Sequence, residues 1–434
     1  MKKQQIIFHG WLIVTAGAFV GALGYGARYS FSVIFPSLLE EFQWPRDITA
    51  AILSVHLLTY GLVAPLAGDL VDRLGPRRTM AFGTLLLTLG LALSGWASKP
   101  WHFYLTFGVL SGAGLSLVGA VPFTTVIRNW FERQRGLALS LLFVGSGIAW
   151  VFYPAIAFLI DRVNWRNTFR IEGMVIAAVF LPLIFLIVRY HPRQKGLFFD
   201  GLLGTGGLTS PTPGKEASRI RDQAWTAIDW TLPKAARTRR FWMLCLSTFT
   251  LWGIMEHIIV THHVAFAIDL GYSRIYASSV LSLFGILFSV GSLASVVSDR
   301  IGREPTMTIG TVIGISGILV LTLMRDASHP WMLYYHAIAL GFGFGMVSVT
   351  IAASVTDIFQ GPRVGGVIGF IWFAFAIGGT IGPWLGGWIF ELTNSYLVAF
   401  IVAMFMYAVS CAAIWYAGPR KVRLVPRMAK IGTS

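Results

Sequence analysis

The chain has 434 residues, 55% hydrophobic and only 12% charged, with a formal net charge of +15. A soluble domain carries about 25% charged residues, and half that fraction leaves too little polar surface to clothe a globule, so a soluble protein is excluded. Cys245 and Cys411 both lie in apolar blocks with no metal-ligand spacing and no disulfide framework; no metal and no cofactor are expected.

Charges, Pro and Gly punctuate the chain into twelve apolar spans, at 10–39, 48–71, 78–97, 101–127, 136–160, 169–189, 241–268, 276–298, 305–324, 331–357, 364–390 and 396–417. Each suits a bilayer-spanning helix. The start resembles a secretory leader, but its apolar run continues past Leu38 with no small-residue cleavage site, so a retained first helix is predicted. That helix holds Arg28, with Tyr25 and Ser32 on the same face at i−3 and i+4. A central arginine costs about 2.5–3.5 kcal/mol on insertion scales, which makes it a functional candidate. The loop after the second span reads Gly68-Asp69-Leu70-Val71-Asp72-Arg73-Leu74-Gly75-Pro76-Arg77-Arg78. Gly75-Pro76 makes a tight turn, the basic residues hold the loop on one side, and Asp72 can cap or pair with a helix N-terminus.

Residues 190–240 are polar, rich in Gly, Thr, Pro and basic residues, and read as a linker whose end, around Trp225 and Trp230, lies on the membrane surface. The seventh span carries Glu256 and His257 near its middle, followed by His262 and His263. His263, at i+7, shares the face of Glu256, while His262 lies about 120° away. His56, Glu172 and His336 fall nearer the ends of their spans and read as satisfied or interfacial groups. After the eighth span comes Ser298-Asp299-Arg300-Ile301-Gly302-Arg303.

With the N-terminus placed in the cytoplasm, 26 of the 34 Lys and Arg fall on that side, seven fall on the other, and Arg28 alone is inside a span away from its ends. Without the long linker the ratio is 16 to 7. The bias predicts both termini cytoplasmic and absorbs the net charge, so no nucleic-acid partner is expected. The absence of an N-x-S/T sequon favours a bacterial inner membrane. The halves repeat: Asp72-Arg73-Leu74-Gly75 aligns with Asp299-Arg300-Ile301-Gly302 at an offset of 227, and Arg28 with Glu256 at 228. The sequence thus predicts an all-α membrane protein, twelve transmembrane helices in two pseudo-symmetric six-helix bundles. The bundles span 1–189 and 241–418, joined by the 190–240 linker and followed by a basic tail at 419–434. Such a repeat implies a two-fold axis along the membrane normal and a solute site at the repeat interface.

The 68–78 loop matches the G-x-L-x-D-R-x-G-x-R-R signature of the major facilitator superfamily, and Asp299-Arg300 stands where that family's second half has a degenerate copy. The resemblance implies that Gly68, Asp72, Arg73, Gly75, Arg77, Arg78, Asp299 and Arg300 belong to gating loops that do not touch substrate. Trp130-Phe131-Glu132-Arg133-Gln134-Arg135, Gly10-Trp11 and Gly382-Pro383-Trp384 resemble monocarboxylate porters and oxalate:formate-antiporter-like bacterial members. The eighth span, unlike that of animal monocarboxylate porters, carries no charge.

From this follows the expectation of a secondary transporter of a small organic anion, foremost a monocarboxylate, by alternating access with proton symport or anion exchange, embedded in lipid as a monomer. Arg28, with Tyr25 and Ser32, is the substrate anchor, because a guanidinium stays charged and takes a carboxylate bidentately. Glu256, His257, His262 and His263 are the proton-coupling candidates. A structural Arg28–Glu256 ion pair competes with these roles. Proton-coupled efflux of drugs or another small solute, or a non-transporting membrane sensor, are the alternative functions. No enzyme is expected, since no catalytic triad, metal cluster or phosphate loop is present.

Overall fold

A computed structural model describes residues 8–131, 134–195, 222–360 and 364–422. Residues 1–7, Glu132, Arg133, Arg363, most of the expected linker (196–221) and most of the basic tail (423–434) lie outside the described residues. All regular secondary structure among the described residues is helical, with no strand. In chain order the long elements are α1 (His9–Phe42), α2 (Arg46–Leu74), α3 (Pro76–Ser94), α4 (Pro100–Trp130), α5 (Arg135–Ile148), α6 (Ala149–Leu186), α7 (Arg239–Asp269), α8 (Arg274–Ile301), α9 (Arg303–Leu323), α10 (Pro330–Ile358), α11 (Gly365–Thr393) and α12 (Leu397–Ala417).

Ten helices among the described residues are long and apolar enough to cross a membrane. The two outside that set are α3, which opens on Arg77 and Arg78, and α5, which is short because it ends at the 3₁₀ turn (Ala149–Phe152) that opens α6. The expected gap between the fifth and sixth spans falls inside α6, where Asn164 takes φ 66°; asparagine tolerates the left-handed region better than most residues. Large apolar side chains such as Phe19, Phe82, Leu293 and Phe405 are exposed, as lipid-facing residues are, and the chain is a multi-pass membrane protein.

The chain divides into two compact units, one of Met1–Ile34 with Val55–Pro211 and one of Phe35–Ser54 with Thr212–Ser434. Inside each, the same close backbone packing recurs. In the first, a Cβ on Gly114 of α4 would strike Leu87 and Gly83 of α3, and one on Gly112 would strike the backbone of His56 in α2. In the second, Gly343 of α10 lies against Gly310 and Gly314 of α9, and Gly341, Gly345 and Gly291 join α10 to α8 at Phe284, Phe288 and Phe342. Small residues permit this approach, which substitutes for a hydrophobic drive between helices in lipid. Gly83 and Gly310, at an offset of 227, and Gly112 and Gly341, at 229, are repeat equivalents.

Candidate functional site

In the first unit, Arg28 projects from the middle of α1 and is 2% exposed. Its Nε donates to Nε2 of His56 at 3.2 Å. The guanidinium carbon sits 4.1 Å from the centre of the Tyr60 ring and 5.1 Å from that of Tyr25, and the two phenols bond each other at 3.1 Å. His56 Nδ1 lies 3.0 Å from the carbonyl of Phe107, which belongs to a π-helical stretch of α4, Tyr104–Ser111. No acidic group of this unit forms an ion pair with Arg28 among the described residues, and its buried Nη2 has no hydrogen-bond partner. Ser32, buried on the same helix, spends its hydroxyl on the carbonyl of Tyr29 at 2.8 Å. Tyr25 therefore meets Arg28, whereas the described contact of Ser32 stays within α1. His56 and Tyr60 complete the cage and were not singled out as site residues from sequence. Glu172 is buried and accepts from Ser30 at 3.1 Å.

In the second unit, Glu256 and the three histidines of α7 are buried. Glu256 follows a π-helical stretch, Phe249–Met255, and borders a small cavity with Ile259, Phe284, Leu340 and Phe344. Single-turn π segments are frequent at functional sites. His257 donates from Nδ1 to the carbonyls of Trp252 and Gly253, at 3.0 and 3.1 Å. His263 stacks on His336 with ring centres 5.3 Å apart.

His262 belongs to a further cluster. Its Nε2 donates to the carbonyl of Pro383 at 2.9 Å, and since a carbonyl only accepts, Nδ1 receives the hydroxyl of Tyr396 at 3.2 Å. The Tyr396 oxygen in turn accepts from Nη1 of Arg46 at 2.6 Å. Arg46 grips Asp269 with both terminal nitrogens, at 2.8 and 3.0 Å, lies 3.9 Å over the ring of Phe390, and gives its backbone N–H to Glu391 at 2.7 Å. His262 apart, the members of this cluster lay outside the sequence expectation, because they come from α2, the end of α7, α11 and the turn before α12.

The α2–α3 loop turns at Gly75, φ 82°, and the α8–α9 loop at its equivalent Gly302, φ 105°. In the first, Tyr190 donates to Asp72 at 2.9 Å, and partial burial, with that carboxylate beside it, raises the Tyr190 phenol above its ordinary value. Arg77 caps the end of α6 through the carbonyls of Val188 and Phe185, at 2.8 and 3.0 Å. Arg73 pairs with Asp69 in the open, Arg78 is exposed, and nothing stands within 4 Å of a Cβ placed on Gly68. In the second, Arg300 is exposed and Arg303 holds the loop, bound to Asp299 at 2.9 Å and to Asp357 at 2.8 Å, with Ser298 close by.

The family model described as Major Facilitator Superfamily matches residues 17–296 and 267–430. The chain is 26% identical over 419 residues to the uncharacterized MFS-type transporter YcxA of Bacillus subtilis (strain 168), with 95% of this chain and 94% of that protein covered. It is 25% identical over 396 residues to monocarboxylate transporter 13 of Bos taurus, covering 91% and 86%. Among solved structures, the D-xylose-proton symporter superposes with TM-score 0.72 at 16% identity, over 93% of this chain and 97% of that one. A bacterial homologue of the human lysosomal transporter Spinster, inward-facing and unoccupied, gives TM-score 0.67 at 15% identity over 96% and 99%. These likenesses show the fold, twelve helices in two bundles.

Proposed function

Because the chain belongs to the major facilitator superfamily, and is thus a transporter and not an enzyme, we propose that its cargo is a small organic anion, foremost a monocarboxylate, carried by alternating access with proton symport or anion exchange. One observation carries this reading. Among the described residues, Arg28 is a buried guanidinium with no acid of its own unit paired to it and with no hydrogen-bond partner at Nη2. A permanent charge in that setting calls for a negative partner, and a soluble carboxylate supplies two acceptor oxygens matched to the guanidinium fork. Tyr25 and Tyr60 hold the plane of the fork by their ring faces. Ser32, on the same face of α1, becomes a secondary contact once its hydroxyl leaves the carbonyl of Tyr29. The name of the bovine relative, monocarboxylate transporter 13, favours a monocarboxylate over other anions.

Protons enter through α7. Glu256 beside its cavity is the foremost carrier, and His257, His262 and His263 are the further titratable groups on that helix. The gating role falls to the α2–α3 and α8–α9 loops. We place the protein in a bacterial inner membrane as a monomer, with both termini cytoplasmic, bundles at 1–189 and 241–418, a linker at 190–240 and a basic tail from 419; the positive-inside bias supports that topology.

Uptake of acetate, lactate, pyruvate and formate into proteoliposomes, with and without a pH gradient, tests the proposal. Arg28→Ala and Arg28→Lys are expected to abolish uptake of whichever anion is carried while the protein still inserts; full uptake in either removes the anchor. Glu256→Gln is expected to leave exchange intact and to lose stimulation by the gradient. Retained stimulation would take the proton from Glu256.

A further inference from the structure

We infer that His56 is a positioning residue of the anion site, a neutral imidazole that ties up Nε of Arg28 and turns the two terminal nitrogens of the guanidinium toward the solute; the inference rests on the reading of Arg28 as anchor. The hydrogen-bond directions follow from elementary valence. The carbonyl of Phe107 only accepts, so His56 Nδ1 carries the proton it shares with that oxygen at 3.0 Å. Nε2 is then a lone pair, and it receives the Nε–H of Arg28 at 3.2 Å. The hydroxyl of Ser111, 3.3 Å from Nδ1, adds a second oxygen on the donor side. A protonated ring would present N–H to the guanidinium and lose the bond, so one tautomer of the uncharged ring is selected from both sides.

The consequence for the anion is geometric. A guanidinium binds a carboxylate either side-on, through Nε and one terminal nitrogen, or end-on, through both terminal nitrogens. With Nε occupied, only the end-on approach remains, and the unused Nη2 lies on it. The Tyr60 and Tyr25 rings fix the plane and His56 fixes rotation within it.

Packing alone does not call for histidine there. His56 and Phe284 are repeat equivalents at an offset of 228, and each takes a glycine of the neighbouring helix against its backbone, Gly112 in the first unit and Gly341 in the second. The second unit makes this main-chain contact at a phenylalanine. A phenyl has no in-plane lone pair to receive Nε–H.

His56→Phe therefore removes the hydrogen bonds and keeps a side chain that this crossing accommodates. His56→Gln keeps both polarities, since its amide oxygen can accept from Arg28 while its N–H donates to Phe107. Kinetics of proteoliposome uptake, using the best carried of acetate, lactate, pyruvate and formate, should give a KM raised about tenfold or more in His56→Phe at a near-normal maximal rate. His56→Gln should return KM to within about threefold, with both variants melting like the parent protein. A wild-type KM in His56→Phe, alongside a dead Arg28→Ala, would overturn the positioning role alone. Equal impairment in His56→Gln and His56→Phe would do the same, because it would show that bond polarity is irrelevant. An active Arg28→Ala, or carriage of none of the four anions, would fell the anchor reading and this one with it.

Discussion

The face of Tyr60 lies 4.1 Å beneath the Arg28 guanidinium, and a desolvated cation over an aromatic ring gains about 0.5–2 kcal/mol. Tyr60→Leu should accordingly raise KM roughly 2- to 30-fold, whereas Tyr60→Phe, which keeps the ring and loses only the bond to Tyr25, should stay within about threefold. If the two variants are equally impaired in uptake kinetics, the ring face is not what holds the cation. Arg28 was legible because a charge inside an apolar block stands out without any structure. Its neighbours were legible only in depth. Arg28 lies 14 residues before Phe42 at the end of α1, and His56 ten after Arg46 at the start of α2, so antiparallel helices bring them to similar levels. Which of the many α2 side chains turns toward Arg28 depends on the rotation of α2 about its axis, and an apolar helix with scattered polar residues does not encode that in its periodicity.

Long helices are the part of the fold most openly written in the chain, since each needs only about twenty apolar residues. The break at Asn164 was hidden because the residues on both sides are helical and a single left-handed residue leaves no compositional mark. The loops are a mixed case. Gly75 and Gly302 were found from the motif, and each adopts a positive φ that explains the glycine. Gly75→Ala should cost about 1–3 kcal/mol, read as a lower melting temperature in detergent. Gly68→Ala, placed in open space on a helix, should be neutral or slightly stabilising, and a melting loss there would contradict the geometry. The sequence shows basic residues at Arg300 and Arg303 but not that Arg303 is the one facing Asp357. The Arg46 cluster was out of reach for the same reason, multiplied over four separate segments. There the Asp269 carboxylate is part-exposed, and a double-mutant cycle of Arg46→Ala with Asp269→Ala on melting should give a coupling of about 1 kcal/mol. Zero coupling would mean the pair contributes nothing to the fold.

At the scale of the whole chain the internal repeat was the most informative signal, because it links positions that no local pattern connects: Gly75 to Gly302 and Arg28 to Glu256. An even number of crossings carries its own expectation, that reporters fused to either end read out on the cytoplasmic face; a reporter on the opposite face at one end would break the proposed topology. The glycine contacts of the second unit have a mechanical corollary. At Phe284, Phe288 and Phe342, α8 and α10 rest backbone on backbone over successive turns, and α9 is seated on α10 in the same fashion at Gly310 and Gly343. Main chain is incompressible and offers no rotamers to reshuffle, so neither seam can serve as a slip plane. During a transport cycle these three helices should travel as one solid block, and any bending must be borne by elements whose seams are padded with pliable side chains.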